Sequence, residues 1–580
     1  MNPKNLSEPI SRVFDLLPYL LEQRRQERVF AFRKNGDWQF VSTDEYVRKS
    51  EQVSFALISR GIQKGDCIVS ITPNRPEFNM LDMGLLQLGA IHVPLYPGIS
   101  GQKLKEILAE TNCKAVFLSG KKSFDLISGL KKSFPNLQSI VSFDPISGCE
   151  DFSNFLKSGI EHAEPEKLET IKQGILPTDP ASIVYISGAT TATRGVVLTH
   201  ESHISTLLSY ARNTHMEGLS DIISLLPLAH SYERMINYSQ QYYGVTIWYN
   251  DKIQQMFRDF RDVRPQAMVM VPLLIERMFQ LMEQRTMQSK LIPTSFISAC
   301  LEFYKTNQKA GGLKAWLFPL IAKQLIFPKW RQALGGRLDF ILCGGAALDK
   351  KYLHLAQACG VAIYEGYGIT EAGPLVSYNT RDNQRNYTVG KLMPGVEAVI
   401  AKDGEVCVRS SGLMKEYWKN TEETKAAIDS EGWLHTGDLG QLDKDGYLKL
   451  TGIKKEIFKL SSGIYVSPAN IESELKKSAG ISNAWVFGHN RKYLIALIVP
   501  EEPDKTASSN NSSKSGETAL IGEAVKTYNS ISRSPDHIVK YEIVRDVWSK
   551  ENGFLNAEGQ LNRQLLLSKY DKTIESFYAE

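Results

Sequence analysis

The seven cysteines of this chain form no CxxC pair, which excludes a closely spaced zinc site and a disulfide scaffold. Cys343, Cys359 and Cys407 have apolar or strand-like neighbours and are expected to be buried thiols. Long apolar runs are also missing: the longest, residues 313–327, is broken by Lys314 and Lys323 and is shorter than the roughly 18 residues needed to cross a bilayer. The opening residues, with Asn2, Lys4 and Glu8, lack the apolar core and cleavage site of a secretory signal, so the expected compartment is the cytoplasm. Neither sign of charge dominates. With 68 Lys and Arg against 64 Asp and Glu, the net charge of +4 gives no field to steer a polyanion, and no nucleic acid is expected as a partner.

What is present is 580 residues, 42% hydrophobic and 23% charged, enough for a large apolar core and, at about 150 residues per domain, for several domains. Short apolar runs predict buried strands at 67–71, 91–95, 115–118, 182–186, 222–226, 246–249, 267–271, 340–343 and 361–364. Helical periodicity alternates with them at 22–28, 43–60, 76–88, 253–261 and 274–287. The pattern is α/β, a large region of open or doubly wound sheet. After residue 390 the strand-like runs 398–401, 405–409 and 446–451 predict a β-rich subdomain over about 390–453, closing an N-terminal domain of residues 1–453. Residues 454–580, with strands at 485–488 and 493–499 and a helix at 517–529, read as a separate α+β domain. Within it the Ser/Asn-rich stretch of about 503–517 cannot bury enough to order itself and is expected as a loop.

The chemistry first shows in residues 187–195. Small residues there follow a predicted strand and allow backbone N–H groups to turn toward phosphate oxygens, while Ser187, Thr190, Thr191 and Thr193 add hydroxyls and Arg194 adds charge. The Walker spacing GxxxxGK[ST] is absent. A ligand-free Ser/Thr-rich hairpin has the same composition, so the segment alone leaves both readings open.

Five further segments stand in order along the chain: Asn74-Arg75-Pro76-Glu77, Leu226-Pro227-Leu228-Ala229-His230 with Glu233-Arg234, Gly344-Gly345-Ala346, Tyr367-Gly368-Ile369-Thr370-Glu371, and Trp433 to Asp438 leading into residues 454–463. Together with residues 185–195 they resemble the adenylate-forming (AMP-forming) ligase superfamily, and most of all its long-chain fatty acyl-CoA synthetase branch. The resemblance covers residues 20–575. It implies an adenylate-forming ligase fold with a small mobile C-terminal domain, and ATP, Mg²⁺ and coenzyme A as the groups used. The implied reaction activates a medium or long-chain fatty acid as an acyl-adenylate and then passes the acyl group to a thiol.

The same resemblance implies the site. Tyr367 would stack on adenine beside Gly344, Gly345 and Ala346; Thr370 would donate to the α-phosphate; Glu371, with Thr190, would hold Mg²⁺; and Asp438 would bind the ribose hydroxyls. Ser187, Thr190, Thr191 and Arg194 would face the phosphates. His230 would lie near the acyl carboxylate, without being assigned as a base. The C-terminal domain would pivot near Lys455. The aromatic run Tyr232, Tyr238, Tyr242, Tyr243 and Trp248 suits either an acyl chain or ordinary core.

Several positions depart from the family pattern. Ala189, Thr191, Thr193 and Arg194 replace Thr, Gly, Pro and Lys in the phosphate segment; Leu273 and Ile453 each replace an Arg; and Gln560 stands where a Lys is expected. Loss of a positioned cation from a preorganised site costs on the order of 3–4 kcal/mol in the barrier. The expectations therefore include a catalytically impaired homologue that binds nucleotide or acyl ligand, and transfer to an acyl-carrier-protein thiol instead of coenzyme A. A homodimer is left open. So is peripheral contact with the inner face of a membrane, motivated by Phe318, Leu320, Leu325, Phe327 and Trp330 among Lys314, Lys323 and Lys329.

Overall fold

The apolar runs become the central strands of two sheets. The computed structural model describes residues 10–187, 193–213, 218–250, 252–288, 293–306, 318–454, 458–461, 465–466, 468–489, 491–501, 512–532, 537–556 and 559–579. Met1–Val399, Cys407–Thr436 and Leu442–Lys449 form one compact unit; Ile400–Val406, Gly437–Gln441 and Leu450–Glu580 form another.

In the first unit, a nine-stranded sheet has the order Lys391–Leu392, Ser377–Tyr378, Ala362–Tyr367, Phe340–Cys343, Ala267–Met270, Asp221–Ser224, Thr246–Tyr249, Phe30–Lys34, Asp37–Val41. The six strands from Ala362–Tyr367 to Phe30–Lys34 run parallel. An eight-stranded sheet is built on Cys67–Ile71, Ile91–Leu95 and Ala115–Leu118, all fully buried, and ends in the antiparallel hairpin Pro180–Ser187 and Thr193–Thr199 with Glu416–Tyr417 beside it. Near-continuous apolar strands are what a parallel sheet covered on both faces requires.

Other expectations change. The helix is not at 22–28 but at Leu16–Gln23, where Leu16, Leu17, Tyr19 and Leu20 are buried. The polar residues that follow form helices readily but have no apolar face to pack, and burial decides. The hairpin Phe30–Lys34 and Asp37–Val41 was not expected; it turns through Asn35 and Gly36, both at positive φ, the backbone a two-residue turn needs. Phe327 and Trp330 are core, not surface: Trp330 packs against Phe279 and Phe327, and its Nε1 donates to Thr286 Oγ1 at 2.7 Å. Leu320 and Leu325 are exposed. Among the described residues no helix is long and apolar enough to cross a membrane.

In the second unit, the sheet Ile481–Phe487, Leu494–Pro500, Ile538–Ile543 packs with the helices Pro468–Leu475, Ser512–Ile531 and Arg563–Tyr578. Arg563 forks onto both oxygens of Glu472 at 2.8 and 2.7 Å, and Glu472 also accepts the Val486 N–H at 2.8 Å, which ties the last helix to the first. The helix expected at 517–529 begins at Ser512, so the predicted loop is helical from 512 onward: the buried Ile521, Ala524 and Val525 anchor a helix that extends over its polar start. Residues 502–511 lie outside the described residues.

A polar seam crosses the apolar core of the first unit. Asp82, in the helix Pro76–Leu86, accepts from Arg234 and Tyr238 of the helix Ser231–Tyr243 and pairs at 2.7 Å with His92 Nδ1, whose Nε2 meets the Ser70 hydroxyl at 2.8 Å. All five side chains are buried. Burial opposes ionisation of Asp82, yet the Arg234 guanidinium and the bonds from His92 and Tyr238 hold its carboxyl well below the usual carboxylate range. Burial also lowers the pKa of His92, against the pull of Asp82. A buried pair is costly to break from one side, because the remaining charge is left without compensation. Arg234→Met is expected to lower unfolding stability by about 3–5 kcal/mol in urea titration, with the double replacement Asp82→Leu/Arg234→Met recovering much of it. A loss under about 1 kcal/mol in the single variant would show that the pair holds little.

Candidate active site

Four neighbouring parallel strands of the nine-stranded sheet end on the same side, and the candidate residues follow their carboxyl ends. After Asp221–Ser224 comes the segment leading to His230; after Ala267–Met270, Leu273; after Phe340–Cys343, Gly344, Gly345 and Ala346; and Ala362–Tyr367 ends at Tyr367, just before Thr370 and Glu371. This is where an open α/β sheet leaves a crevice for ligands. Gly345 sits at φ +88° and, like Ala346, is exposed, so the chain presents backbone rather than side chain at this rim. A Cβ on Gly344 would lie 3.8 Å from the Tyr232 ring, which places Tyr232 alongside the glycine turn. Tyr367 is buried.

Two residues before Tyr367, burial, only partly offset by the nearby Leu348 N–H, pushes the Glu365 carboxyl up to about 7. Thr370 and Glu371 lie in a single 3-10 turn. The Thr370 hydroxyl meets the Ser231 hydroxyl at 2.8 Å, joining this turn to the start of the helix Ser231–Tyr243.

Glu371 brings in two residues that sequence reasoning missed. Its Oε1 accepts from the Tyr417 hydroxyl at 2.9 Å, and its backbone carbonyl accepts the Met414 N–H at 2.8 Å. Tyr417 pairs in register with Val196 on the phosphate hairpin, and the Arg194 guanidinium lies 5.4 Å from its ring centre. Burial and then the neighbouring Glu371 carboxylate raise the Tyr417 phenol, which keeps it a donor. Arg194 forms a 2.6 Å ion pair with Glu423. Gly195 allows this close approach: a Cβ there would stand 2.8 Å from Ile183 and 3.1 Å from Trp418. The hairpin pairs Ser187 with Thr193, while Thr190 and Thr191 lie outside the described residues.

His230 caps the helix Ser231–Tyr243, its Nδ1 accepting the Tyr232 N–H at 3.2 Å. A ring nitrogen that accepts carries no proton, so the proton of the neutral ring is on Nε2. The aromatics that follow are mostly committed to packing or polar bonds: Tyr242 stacks on Tyr19, Tyr243 donates to the Ala211 carbonyl, and the Trp248 indole N–H donates to Asp221 at 2.9 Å. Leu273 is 54% exposed at the rim.

The remaining candidates belong to the second unit. Asp438 lies in the strand Leu434–Leu442, and Lys455 falls outside the described residues. Gln560 closes a small hairpin: its Oε1 accepts from Asn556 Nδ2 at 3.1 Å, its carbonyl accepts the Asn556 N–H at 2.8 Å, and its own N–H donates to Asn556 Oδ1 at 2.8 Å. Lys454 is held by Asp403 and Glu405, each at 2.7 Å.

A turn that presents backbone at the rim, a hydroxyl and a carboxylate on one 3-10 turn, and Arg194 on the neighbouring hairpin are the groups that comparison with known proteins places in a class of enzymes. The family model of the AMP-binding enzyme matches residues 21–418, and that of the AMP-binding enzyme C-terminal domain matches residues 455–580. The chain belongs to this family, the AMP-forming ligase superfamily, in its acyl-CoA synthetase-like branch. It is 29% identical over 562 residues to a long-chain-fatty-acid–CoA ligase of Mycobacterium bovis, covering 94% of this chain and 93% of the relative. It is 26% identical over 636 residues to fatty acyl-CoA synthetase A of Dictyostelium discoideum, covering 100% and 92%. A solved anthranilate CoA ligase in complex with anthranoyl-AMP has the same fold, with a TM-score of 0.72 at 18% identity over 98% of this chain and 99% of that one. The general chemistry of the family is ATP-dependent formation of an acyl-adenylate and a thioester.

Two measurements follow. Glu423→Gln releases Arg194 and is expected to tighten ATP binding about two- to fivefold in calorimetry, the worth of a half-exposed ion pair of about 0.4–1 kcal/mol. An unchanged affinity would place Arg194 away from the phosphates. The second concerns Glu233, which burial pushes up to about 8 against the opposing Ser224 bond, from an ordinary 4.5. Between those values the native carboxyl keeps a proton that the unfolded chain has lost, so its contribution to stability falls as pH rises through that window. Glu233→Gln is expected to unfold at the wild-type temperature at pH 5 and at a higher one at pH 8; an equal offset at both pH values would contradict this.

Proposed function

We propose that the chain activates a medium or long-chain fatty acid with ATP and transfers the acyl group to coenzyme A. The observation that carries this reading is the convergence of Gly344 to Ala346, Tyr367, the Thr370 and Glu371 turn, and His230 at adjacent strand ends. The length and names of the fatty-acid relatives support the choice of acid. In the first step a carboxylate oxygen of the fatty acid attacks the α-phosphorus and pyrophosphate leaves. In the second the thiol sulfur attacks the acyl carbon and AMP leaves.

Each side chain has a role its placement allows. Tyr367 and the glycine turn receive adenine. Thr370, fixed by Ser231, offers its hydroxyl to the α-phosphate, and Arg194 exchanges Glu423 for phosphate oxygens. His230 directs its Nε2–H toward the acid, holding one carboxylate oxygen while the other attacks. Glu371 suits Mg²⁺, a hard cation that prefers carboxylate oxygen and would neutralise phosphate charge when bound; the Tyr417 bond orients that carboxylate.

A second reading has its own observation. Gln560 supplies no charge, and Leu273 puts an exposed hydrocarbon where a cation is expected. Adenylation is then slow, and the protein serves as a binder of acyl-adenylate or as a donor to a carrier-protein thiol. Pyrophosphate release measured across C8 to C18 acids separates the readings. Acid-dependent release with a thioester product supports the ligase, and Gln560→Lys is expected to raise the rate by on the order of 10²-fold. No release from folded protein with any acid, in either form, would defeat it.

A further inference from the structure

Residues 226–230 bring His230 to the rim: one backbone bond, His230 N–H to the Pro227 carbonyl at 2.9 Å, closes their turn, and the ring takes the Tyr232 N–H on Nδ1. A further constraint comes from Asn74, in the loop between the strand Cys67–Ile71 of the other sheet and the helix Pro76–Leu86. Its side-chain oxygen accepts the Leu228 N–H at 2.9 Å, and its Nδ2 donates to the Leu226 carbonyl at 2.6 Å and to the Ser224 hydroxyl at 3.0 Å. Ser224 in turn donates to Glu233 Oε1 at 2.5 Å.

Glu233 stands in the first turn of the helix that His230 caps. The bonds therefore close a ring, from Asn74 through residues 226–230 and the helix start to Glu233, and back through Ser224. Its direction is fixed, because an amide nitrogen can only donate and Ser224 must then give its own proton onward. Asn74, Ser224 and Glu233 are all buried. The second Glu233 oxygen has no hydrogen-bond partner among the described residues. A stability role would be met by any packed apolar trio; here Asn74 holds the segment at two points, and Ser224 and Glu233 hold Asn74 in turn.

We propose that Asn74, Ser224 and Glu233 are positioning residues that hold residues 226–230 and so aim His230 Nε2 at the reacting carboxyl group. The proposal rests on the acid-activating reading above. Two measurements test it on the full chain. Hydrogen exchange of the peptide spanning 226–232 is expected to speed up about tenfold in Asn74→Ala and in Ser224→Ala, while peptides from Phe340–Cys343 keep the wild-type rate. Acid-dependent pyrophosphate release is expected to fall about ten- to a hundredfold in each variant. In a His230→Ala background, adding Asn74→Ala should cost less than about twofold more, because a residue acting through His230 has nothing left to aim.

Full additivity of the two losses, or exchange in 226–232 that stays at the wild-type rate, would overturn the proposal. So would faster exchange that spreads equally over the whole unit. Ser224→Ala, which deletes a single oxygen, carries the test if Asn74→Ala does not fold. Glu233→Gln, which keeps an oxygen for Ser224, should lose at least threefold less activity than Glu233→Ala; equal losses would count against the ring. If the wild-type protein releases no pyrophosphate, the reaction assigned above falls. The exchange result then stands separately and decides whether Asn74 and Ser224 hold the segment.

Discussion

The Asp82–Arg234 pair sets the register on which the candidate site depends. Removing two charges from water costs several kcal/mol for each ion, and their attraction compensates only when the geometry is good and the remaining bonds are made. Here Asp82 takes bonds from Arg234, Tyr238 and His92, so both of its oxygens are in use. That set forms only where the helices Pro76–Leu86 and Ser231–Tyr243 meet in a single alignment. A purely apolar contact would tolerate a slide of one helix over the other; this one does not. Asn74 stands just before the first helix and His230 caps the second. An interaction buried far from solvent therefore determines which groups from the two sheets come together at the rim.

The central parallel strands were legible because a strand buried on both faces is apolar without interruption: residues 67–71, 91–95 and 115–118 were found to the residue. The hairpin turning at Asn35 and Gly36 carried a readable Asn-Gly signal, but Arg33 and Lys34 before it and Asp37 after it disguised the strands. The polar run after Gln23 read as helix on propensity and failed for want of a face to bury. The candidate residues of the first unit were legible only as motifs in order. Which of them touch was not, because Tyr417 reaches Glu371 and Glu423 reaches Arg194 through pairing of Glu416–Tyr417 with the hairpin strand, and no local pattern encodes that register. Asn74 and Glu233 stood inside quoted motifs, yet a motif does not say that an asparagine in a loop of one sheet grips a loop of the other.

Three of the departures from the pattern that the resemblance implies are of one kind. Leu273, Ile453 and Gln560 each stand where the resemblance implies a cation, and Arg194, where it implies a Lys, is paired with Glu423. On the impaired reading proposed above, an anionic polyphosphate would meet a weaker field, and the missing attraction would have to come from groups that need no charge. The available groups are the glycine turn, the Thr370 hydroxyl and the His230 N–H. These are short-range donors whose worth depends on being aimed beforehand, since a misplaced neutral donor contributes little where a misplaced cation still attracts.

On that reading, a site that trades charge for aimed dipoles places more weight on its supporting bonds. Ser231 on Thr370 and Asn74 on residues 226–230 have this supporting role, and each lies behind a group facing the rim. Arg194 fits the same logic. Under the proposed function, moving it from Glu423 to a phosphate would exchange one anionic partner for another at little desolvation cost. Catalysis in such a site depends less on how many charges surround the nucleotide than on how firmly the two sheets hold the neutral donors in line.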